Sequence, residues 1–322
     1  MKIRQKTMPA PGEAAKNAAR GAPGIVFLGS ACNYDCLFCS GGPDDKTQTA
    51  AEIRAVIAAR PDTLSIEGGE PTLDRGLPEW VRLARKTGVR DIILCTNGAR
   101  FGNAAYVREL CGAGVTLFNV NFPSHIEKVF GAITRTSGMF PGCLRALRVL
   151  IDTAGGARVR LNCVVHLLSA PVLEDYVRFV RRNFPEVFYI EFNLVKVLGH
   201  VKRRRYLVPR LGQIIPRLCA ALALADRFKM QCICDGFPLC LLPGHEHCAI
   251  DARKLLTGDL LYMKEKIKSP RCAGCTLGAL CAGPRADYLR IHGDGEIKAS
   301  SLDPAPIEAR VRKFLAGPQG SR

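Results

Sequence analysis

A parallel α/β fold followed by a small cysteine-rich region is what this chain predicts. Three observations point there: six short runs of β-branched and aromatic residues, an amphipathic stretch after each run, and cysteines bunched in two places. The runs fall at 25–30, 63–69, 91–97, 115–122, 158–166 and 187–196. They are almost continuously apolar, as suits parallel strands covered by helices on one face and packed on the other.

The intervening stretches read as helices in the same order. "TAAEIRAVIAAR" follows Gln48, and "LPEWVRLARKTG" stops at Gly88. "NAAYVRELCGAG" opens on Asn103 and ends in glycines, as does "CLRALRVLIDTAGG" after Pro141. In "VLEDYVRFVRRNFP", Val172, Tyr176, Phe179 and Val180 share one stripe while Arg178, Arg181 and Arg182 point elsewhere. A sixth helix fits 212–227. Six β–α units in series suit a parallel barrel or an open doubly wound sheet, and periodicity does not separate the two. In either fold, chemistry collects at the C-terminal ends of the strands. The first cysteine group follows strand one there, "EGGEP" ends strand two, "TNG" ends strand three, and Asn121 to Ser124 end strand four. The unusual polar and glycine-rich segments therefore meet on one rim, which marks a cofactor site.

A chain of 322 residues with 48% hydrophobic content has room for one large α/β domain and a small appendage. The longest uninterrupted apolar run, "LCAALALA" at 218–225, is too short to span a bilayer. Residues 1–23 are basic and rich in Ala, Gly and Pro, without the apolar core of a signal peptide, and read as a mobile tail. The expectation is a cytoplasmic protein. The formal charge of +17 overstates the positive charge of a metallated form, because ligating cysteines are thiolates. The basic surface that remains favours an acidic partner.

Of the fifteen cysteines, three fall at 32–39 and seven between Cys232 and Cys281. Cys95, Cys111, Cys143, Cys163 and Cys219 sit singly in apolar segments, as small buried thiols do. In a long chain without an export signal, two clusters point to metal rather than crosslinks. Cys32, Cys36 and Cys39 on one loop suit three corners of an iron–sulfur cube. Zinc is the rival and would need a fourth ligand, for which His125 and His166 are available.

"CNYDCLFC" resembles the CxxxCxΦC signature of the radical S-adenosylmethionine (radical SAM) enzymes, with Phe38 at the aromatic position. The resemblance covers about residues 24–225 and implies a partial (β/α)6 TIM-type barrel over 24–228. It also implies a [4Fe–4S] cluster on Cys32, Cys36 and Cys39 whose open iron is chelated by SAM. Reductive cleavage of SAM would then give a 5′-deoxyadenosyl radical that abstracts a hydrogen from substrate. By the same resemblance Gly68, Gly69 and Glu70 of "GGEP" would receive the SAM amino group, with the glycines permitting close backbone approach. Thr96 and Asn97 would lie beside SAM, Asn121 or Ser124 would serve its carboxylate or ribose, Asn162 its ribose, and backbone near Leu198 its adenine.

Downstream, Cys272, Cys275 and Cys281 have the spacing C-x2-C-x5-C, which resembles the auxiliary-cluster extension called SPASM, or Twitch when shortened. This implies a domain over 229–300 and a C-terminal helix and tail over 301–322. A full SPASM domain carries another cysteine where Arg285 stands and one more later, so the resemblance implies a single auxiliary [4Fe–4S] cluster. Its ligands would be Cys272, Cys275, Cys281 and Cys240, with Cys234 or Cys248 as alternatives to Cys240. Zinc on Cys272, Cys275 and upstream cysteines stays open, as does a second cluster using Cys232, Cys234 and Cys248. "HEH" at 245–247 reads as a solvated loop.

The SPASM-like tail favours a peptide or protein substrate. A small-molecule oxidation or rearrangement is the second reading, and nucleic acid is a third because Lys202–Arg205 could contact phosphates. A non-catalytic iron–sulfur scaffold is the fourth. An acidic electron donor of flavodoxin or ferredoxin type is the expected protein partner.

Overall fold

The computed structural model describes residues 23–41, 47–259 and 262–316. The tail expected over 1–23 therefore lies, apart from Pro23, outside the described residues. Seven parallel strands form one sheet in strict sequential order: β1 Gly24–Leu28, β2 Thr63–Gly68, β3 Asp91–Thr96, β4 Leu117–Asn121, β5 Val159–Val165, β6 Tyr189–Leu194 and β7 Cys232–Asp235. Each pairs in parallel with the next. Strands joined in chain order by right-handed crossovers put their helices on one side, so the other side curls inward as a partial barrel.

Six strands fall where the apolar runs are. The seventh is additional: "CICD" belongs to the region assigned to the C-terminal extension, yet it pairs with β6 from Ile190↔Cys232 to Asn193↔Asp235. The connecting helices are α1 Ala50–Ala58, α2 Leu77–Thr87, α3 Ala104–Ala113, α4 Glu127–Thr134, α5 Phe140–Ala154, α6 Leu173–Asn183 and α7 Leu211–Arg227. Helix α1 starts on a capping box, with the Glu52 amide donating to Thr49 Oγ1 at 3.2 Å and the Thr49 amide to Glu52 at 2.8 Å. Asn103 caps α3 through the Ala105 amide at 2.9 Å, and Gly88 closes α2 at φ +99°. After β7 come α8 Ile250–Thr257, α9 Ala286–His292 and α10 Pro304–Ala316. No helix among the described residues is long and apolar enough to cross a membrane.

The two faces of the sheet differ in chemistry. Leu64, Ile66, Ile92, Leu94, Phe118, Val120, Leu161, Ile190 and Phe192 are fully buried on the helix-covered side. On the inner side the register aligns Cys95, Asn119, Arg160 and Tyr189, and one layer on Asn121, Asn162 and Glu191. The alternation of the strands thus builds an apolar shell around a polar lumen.

Candidate functional site

The cysteine loop follows β1 and is pinned from three sides. The Asp35 and Leu37 amides donate to the Thr134 and Ile133 carbonyls at 3.0 and 2.8 Å, so the last turn of α4 holds the loop from one side. Tyr34 packs edge-on against Phe130 of the same helix, with ring centroids 5.9 Å apart. From the other side, the segment after β6 closes on it. His200 donates its amide to the Cys39 carbonyl at 3.0 Å, and Arg204 Nη1 donates to the Leu37 carbonyl at 3.2 Å. Gly199 sits at φ +46° so close to this loop that an added Cβ would meet the carbonyls of Cys39, Ser40 and Gly41 at 2.4–2.5 Å. The third contact is "GGEP". The Gly69 amide donates to the Gly29 carbonyl at 3.0 Å and the Glu70 amide to the Ala31 carbonyl at 2.8 Å. A Cβ on Gly69 would meet Ala31 O at 2.2 Å, so only glycine lets turn and loop approach this closely.

Glu70 has a role within the protein that the sequence reading did not assign. Its carboxylate is only 2% exposed and accepts four bonds from the protein. Oε1 takes the Thr72 amide at 3.1 Å, the Thr72 hydroxyl at 2.5 Å and the Thr96 hydroxyl at 2.7 Å. Oε2 takes the Asn97 amide at 2.7 Å. The carboxylate thereby acts as an internal brace that ties the end of β2 to the end of β3. Asn97 extends that brace to the cysteines: its Nδ2 donates to Asn33 Oδ1 at 2.7 Å and lies 3.9 Å from Cys32 Sγ, which also accepts the Tyr34 amide at 3.4 Å.

The other expected contacts divide. Phe38 is half-buried with its ring 5.6 Å from that of His166. Asn121 points into the lumen with an unpaired Oδ1, and Asn162 Oδ1 accepts Asn193 Nδ2 at 2.8 Å. Ser124 is wholly buried and caps its own turn by accepting the Ile126 amide at 3.1 Å, so its side chain is not offered to a ligand there. The Leu198 carbonyl accepts the Val201 amide at 2.9 Å, and its segment packs on the cysteine loop. His125 lies against Tyr176 and Phe179, away from the three cysteines. Burial pulls His166 down to about 4, and its Nδ1 accepts the Leu168 amide at 3.2 Å.

Whether the loop suits a cluster is a question of donor chemistry. Burial raises the Cys36 thiol, and the nearby Cys39 and Cys32 sulfurs raise it further. The Cys32 thiol is raised by burial as well, and three thiolates packed on one short loop repel one another unless a cation shares the site. Among the described residues no three His, Cys, Asp or Glu side chains are close enough to share a single ion. The corners of a cube lie further apart, because each thiolate binds a different iron. The loop fits a cluster.

A second sulfur group lies in the C-terminal region. Cys240, Cys272, Cys275 and Cys281 line one cavity together with Lys268 and Lys298. Backbone amides point at the sulfurs: Ser300 to Cys275 and Gly283 to Cys281, each at 3.3 Å, and Lys298 to Cys240. The Ser269 hydroxyl stands 3.8 Å from Cys272 Sγ. Burial raises the Cys240 and Cys281 thiols, and the amides that reach those two sulfurs pull the other way. Four sulfurs around one cavity with amides directed at three of them fit a metal cluster, whose positive charge would complete their ionisation. The alternatives Cys234 and Cys248 do not line the cavity. They are buried with Cys232 near Cys219 on the helix side of β7, and His247 Nε2 lies 3.5 Å from Cys248 Sγ. Arg285, standing where a further cysteine would be expected, donates to the Leu194 carbonyl at 2.7 Å, to the Val195 carbonyl, and to Asp287 at 3.0 Å. It ties the C-terminal region to the end of β6.

Residues 26–153 match the family model described as Radical SAM superfamily. A probable GTP 3′,8-cyclase of Metallosphaera sedula is 34% identical over 122 residues, covering 35% of this chain and 38% of that protein. A probable GTP 3′,8-cyclase of Saccharolobus islandicus is 32% identical over 176 residues, covering 52% of this chain and 51% of that one. The chain thus spans about half or less of the length of the curated relatives it matches. Among solved structures, methylornithine synthase (PylB) superposes with a TM-score of 0.51 at 12% identity, covering 70% of this chain and 69% of that chain. Streptococcus suis SuiB superposes with a TM-score of 0.52 at 12% identity, covering 66% and 48%. At that identity the likeness is one of fold.

Proposed function

Because the chain belongs to the radical SAM superfamily, we infer that Cys32, Cys36 and Cys39 hold a [4Fe–4S] cluster and that SAM binds beside it. The observation that carries this reading is the meeting of the cysteine loop, Gly68–Gly69 and Asn97 at the C-terminal ends of β1, β2 and β3. Once bound and reduced, cluster and SAM supply a 5′-deoxyadenosyl radical able to remove a hydrogen atom from substrate.

This chain's own residues then do four things. The thiolates of Cys32, Cys36 and Cys39 would hold the cluster. Gly68 and Gly69 would offer main chain, rather than side chain, to the SAM methionyl group. Glu70 and Asn97 hold that main chain in register with Cys32. The lumen below receives the substrate. Asn119, Asn121 and Asn193 keep unpaired Oδ1 atoms there, beside the Arg160–Glu191 pair at 3.5 Å. Such a buried polar surface supports a small, polar substrate rather than a peptide side chain, as do relatives named for a nucleotide substrate. We place one auxiliary [4Fe–4S] cluster on Cys240, Cys272, Cys275 and Cys281, where the amide-lined cavity supports it.

Anaerobic reconstitution followed by reduction with SAM tests the first part. Formation of 5′-deoxyadenosine supports the enzyme, and its persistent absence favours the scaffold reading. Deuterium passing from a labelled small polar substrate into 5′-deoxyadenosine would support the lumen reading. Transfer from labelled peptides alone would restore the peptide reading.

A further inference from the structure

The inner face of β2 carries a carboxyl that the brace and the cysteine loop do not use. Ile66 is fully buried on the helix side, so the alternation of the strand turns Glu67 into the lumen, one residue before Gly68. Its Oε1 accepts the Ser65 hydroxyl at 2.7 Å. Ser65 Oγ lies 3.6 Å from Cys95 Sγ, and Asn119 Nδ2 stands 3.5 Å from the same sulfur. Glu67 Oε2 has no hydrogen-bond partner among the described residues, and no cation among them lies within ion-pairing distance of either oxygen. The two cations that act on Glu67 from further away are committed elsewhere. Lys196 Nζ is 2.7 Å from Glu265, and Arg160 Nε is 3.5 Å from Glu191. Lys266, only 4% exposed, is shared by two carboxylates, Asp235 at 2.7 Å and Asp251, and Asp235 sits in register with the inward Asn193. A chain of formal charge +17 thus leaves the carboxyl beneath its glycine turn without a counter-ion. Burial raises that carboxyl above its ordinary range, and the Ser65 hydroxyl, Lys196 and Arg160 offset only part of the rise. A cation brought by a ligand would favour its charged form.

We propose that the lumen takes a small molecule bearing a protonated amine, and that Glu67 is the residue that holds this amine. The proposal rests on the functional reading above and narrows it from a small, polar substrate to an amine. An ammonium has three N–H donors and no acceptor. Glu67 Oε2 supplies a charged acceptor, and the unpaired Oδ1 atoms of Asn119 and Asn121 supply neutral ones on the next strand but one. A polyanionic ligand such as a nucleoside triphosphate would meet this carboxyl with Arg160, Lys196 and Lys266 already paired. Glu67 immediately precedes the glycines assigned to the SAM methionyl group, so an amine held there lies on the side of the lumen where hydrogen abstraction takes place.

The test uses the small-molecule extract of cells that make this protein, grown on deuterated carbon. One half is treated with N-hydroxysuccinimidyl acetate, which acetylates aliphatic amines and removes their charge. Each half is given to the reconstituted protein with dithionite and unlabelled SAM, and the deuterated share of 5′-deoxyadenosine is read by mass spectrometry. The untreated half should transfer deuterium from carbon to the 5′ position, and acetylation should cut the deuterated share at least about tenfold. Glu67→Gln should cut it by a similar factor with the untreated half, while Glu67→Asp, which keeps the charge, should retain part of it. The share, unlike the yield, does not fall merely because a variant is less stable. Equal transfer from the two halves would overturn the proposal, as a nucleotide substrate would give, since its base amines are not acetylated. An undiminished share in Glu67→Gln would overturn the role of that residue. If 5′-deoxyadenosine forms but takes no deuterium from either half, the small-substrate reading fails and this proposal with it. If no 5′-deoxyadenosine forms at all, the radical SAM reading itself fails.

Discussion

Replacing Glu70 by Gln separates a brace from a cofactor ligand. In the native protein the carboxylate accepts four donors, three on Oε1 and one on Oε2. Glutamine keeps one oxygen for the first three, now without the charge, and turns an amide N–H toward the Asn97 N–H. A buried backbone donor left without a partner costs about 1–3 kcal/mol, and weakening the other bonds adds about 1 kcal/mol. The cluster-free protein should therefore lose about 2–4 kcal/mol in urea denaturation, and the Asn97 amide should exchange faster with deuterium. Adding Thr96→Val should cost less in the Gln variant than alone, because Gln has already weakened the bond that Val removes. SAM affinity of the reconstituted variant, measured by calorimetry, should fall less than about tenfold. If stability and exchange are unchanged while SAM binding drops ten- to a hundred-fold, the carboxylate is a SAM ligand and the bracing account is wrong.

Other consequences can be checked independently. Cys240→Ala should remove about four irons, whereas Cys234→Ala and Cys248→Ala should keep them; iron loss in the latter two alone would move the fourth ligand to β7. Arg285→Met leaves the Leu194 and Val195 carbonyls and Asp287 short of a donor, so it should cost about 3–5 kcal/mol and loosen the C-terminal region first in limited proteolysis. His166 is pulled by burial from 6.5 to about 4. The unfolded chain then takes up a proton that the folded chain refuses, so stability should fall with pH from about 6.5 toward 4. The full loss is about 3 kcal/mol at about 1.4 kcal/mol per unit. His166→Gln should flatten that part of the profile, and an unaltered slope would mean that the imidazole is open to water.

Most of the fold was legible because parallel strands buried in a barrel are apolar throughout and their helices carry one clear stripe. Two elements of the barrel were not. Strand β7, "CICD", is four residues long and half cysteine, so its apolar character passed for part of the cysteine cluster. Helix α4 has only two turns, and its apolar Phe130 and Ile133 are too few to show a period, yet it pins the cysteine loop. At the site, the cysteines and glycines could be read because their spacing and their lack of Cβ act through local chain geometry. Glu70 could not, since its four donors come from Thr72, Thr96 and Asn97, and two of those arrive from another strand. His200 and Arg204 were invisible for the same reason: they act on backbone carbonyls, which any sequence provides. Ser124 looked like a ligand from its place at a strand end, but a serine two residues before an amide it can cap often serves its own turn.

One measurement bears most directly on the account. The triple variant Cys32→Ala, Cys36→Ala and Cys39→Ala, reconstituted anaerobically beside the native protein, is assayed for iron and for 5′-deoxyadenosine after reduction with SAM. The account predicts that the variant folds, keeps about half the iron of the native protein, held by Cys240, Cys272, Cys275 and Cys281, and forms no 5′-deoxyadenosine. Undiminished 5′-deoxyadenosine, or a folded variant with the full native iron content, would contradict it.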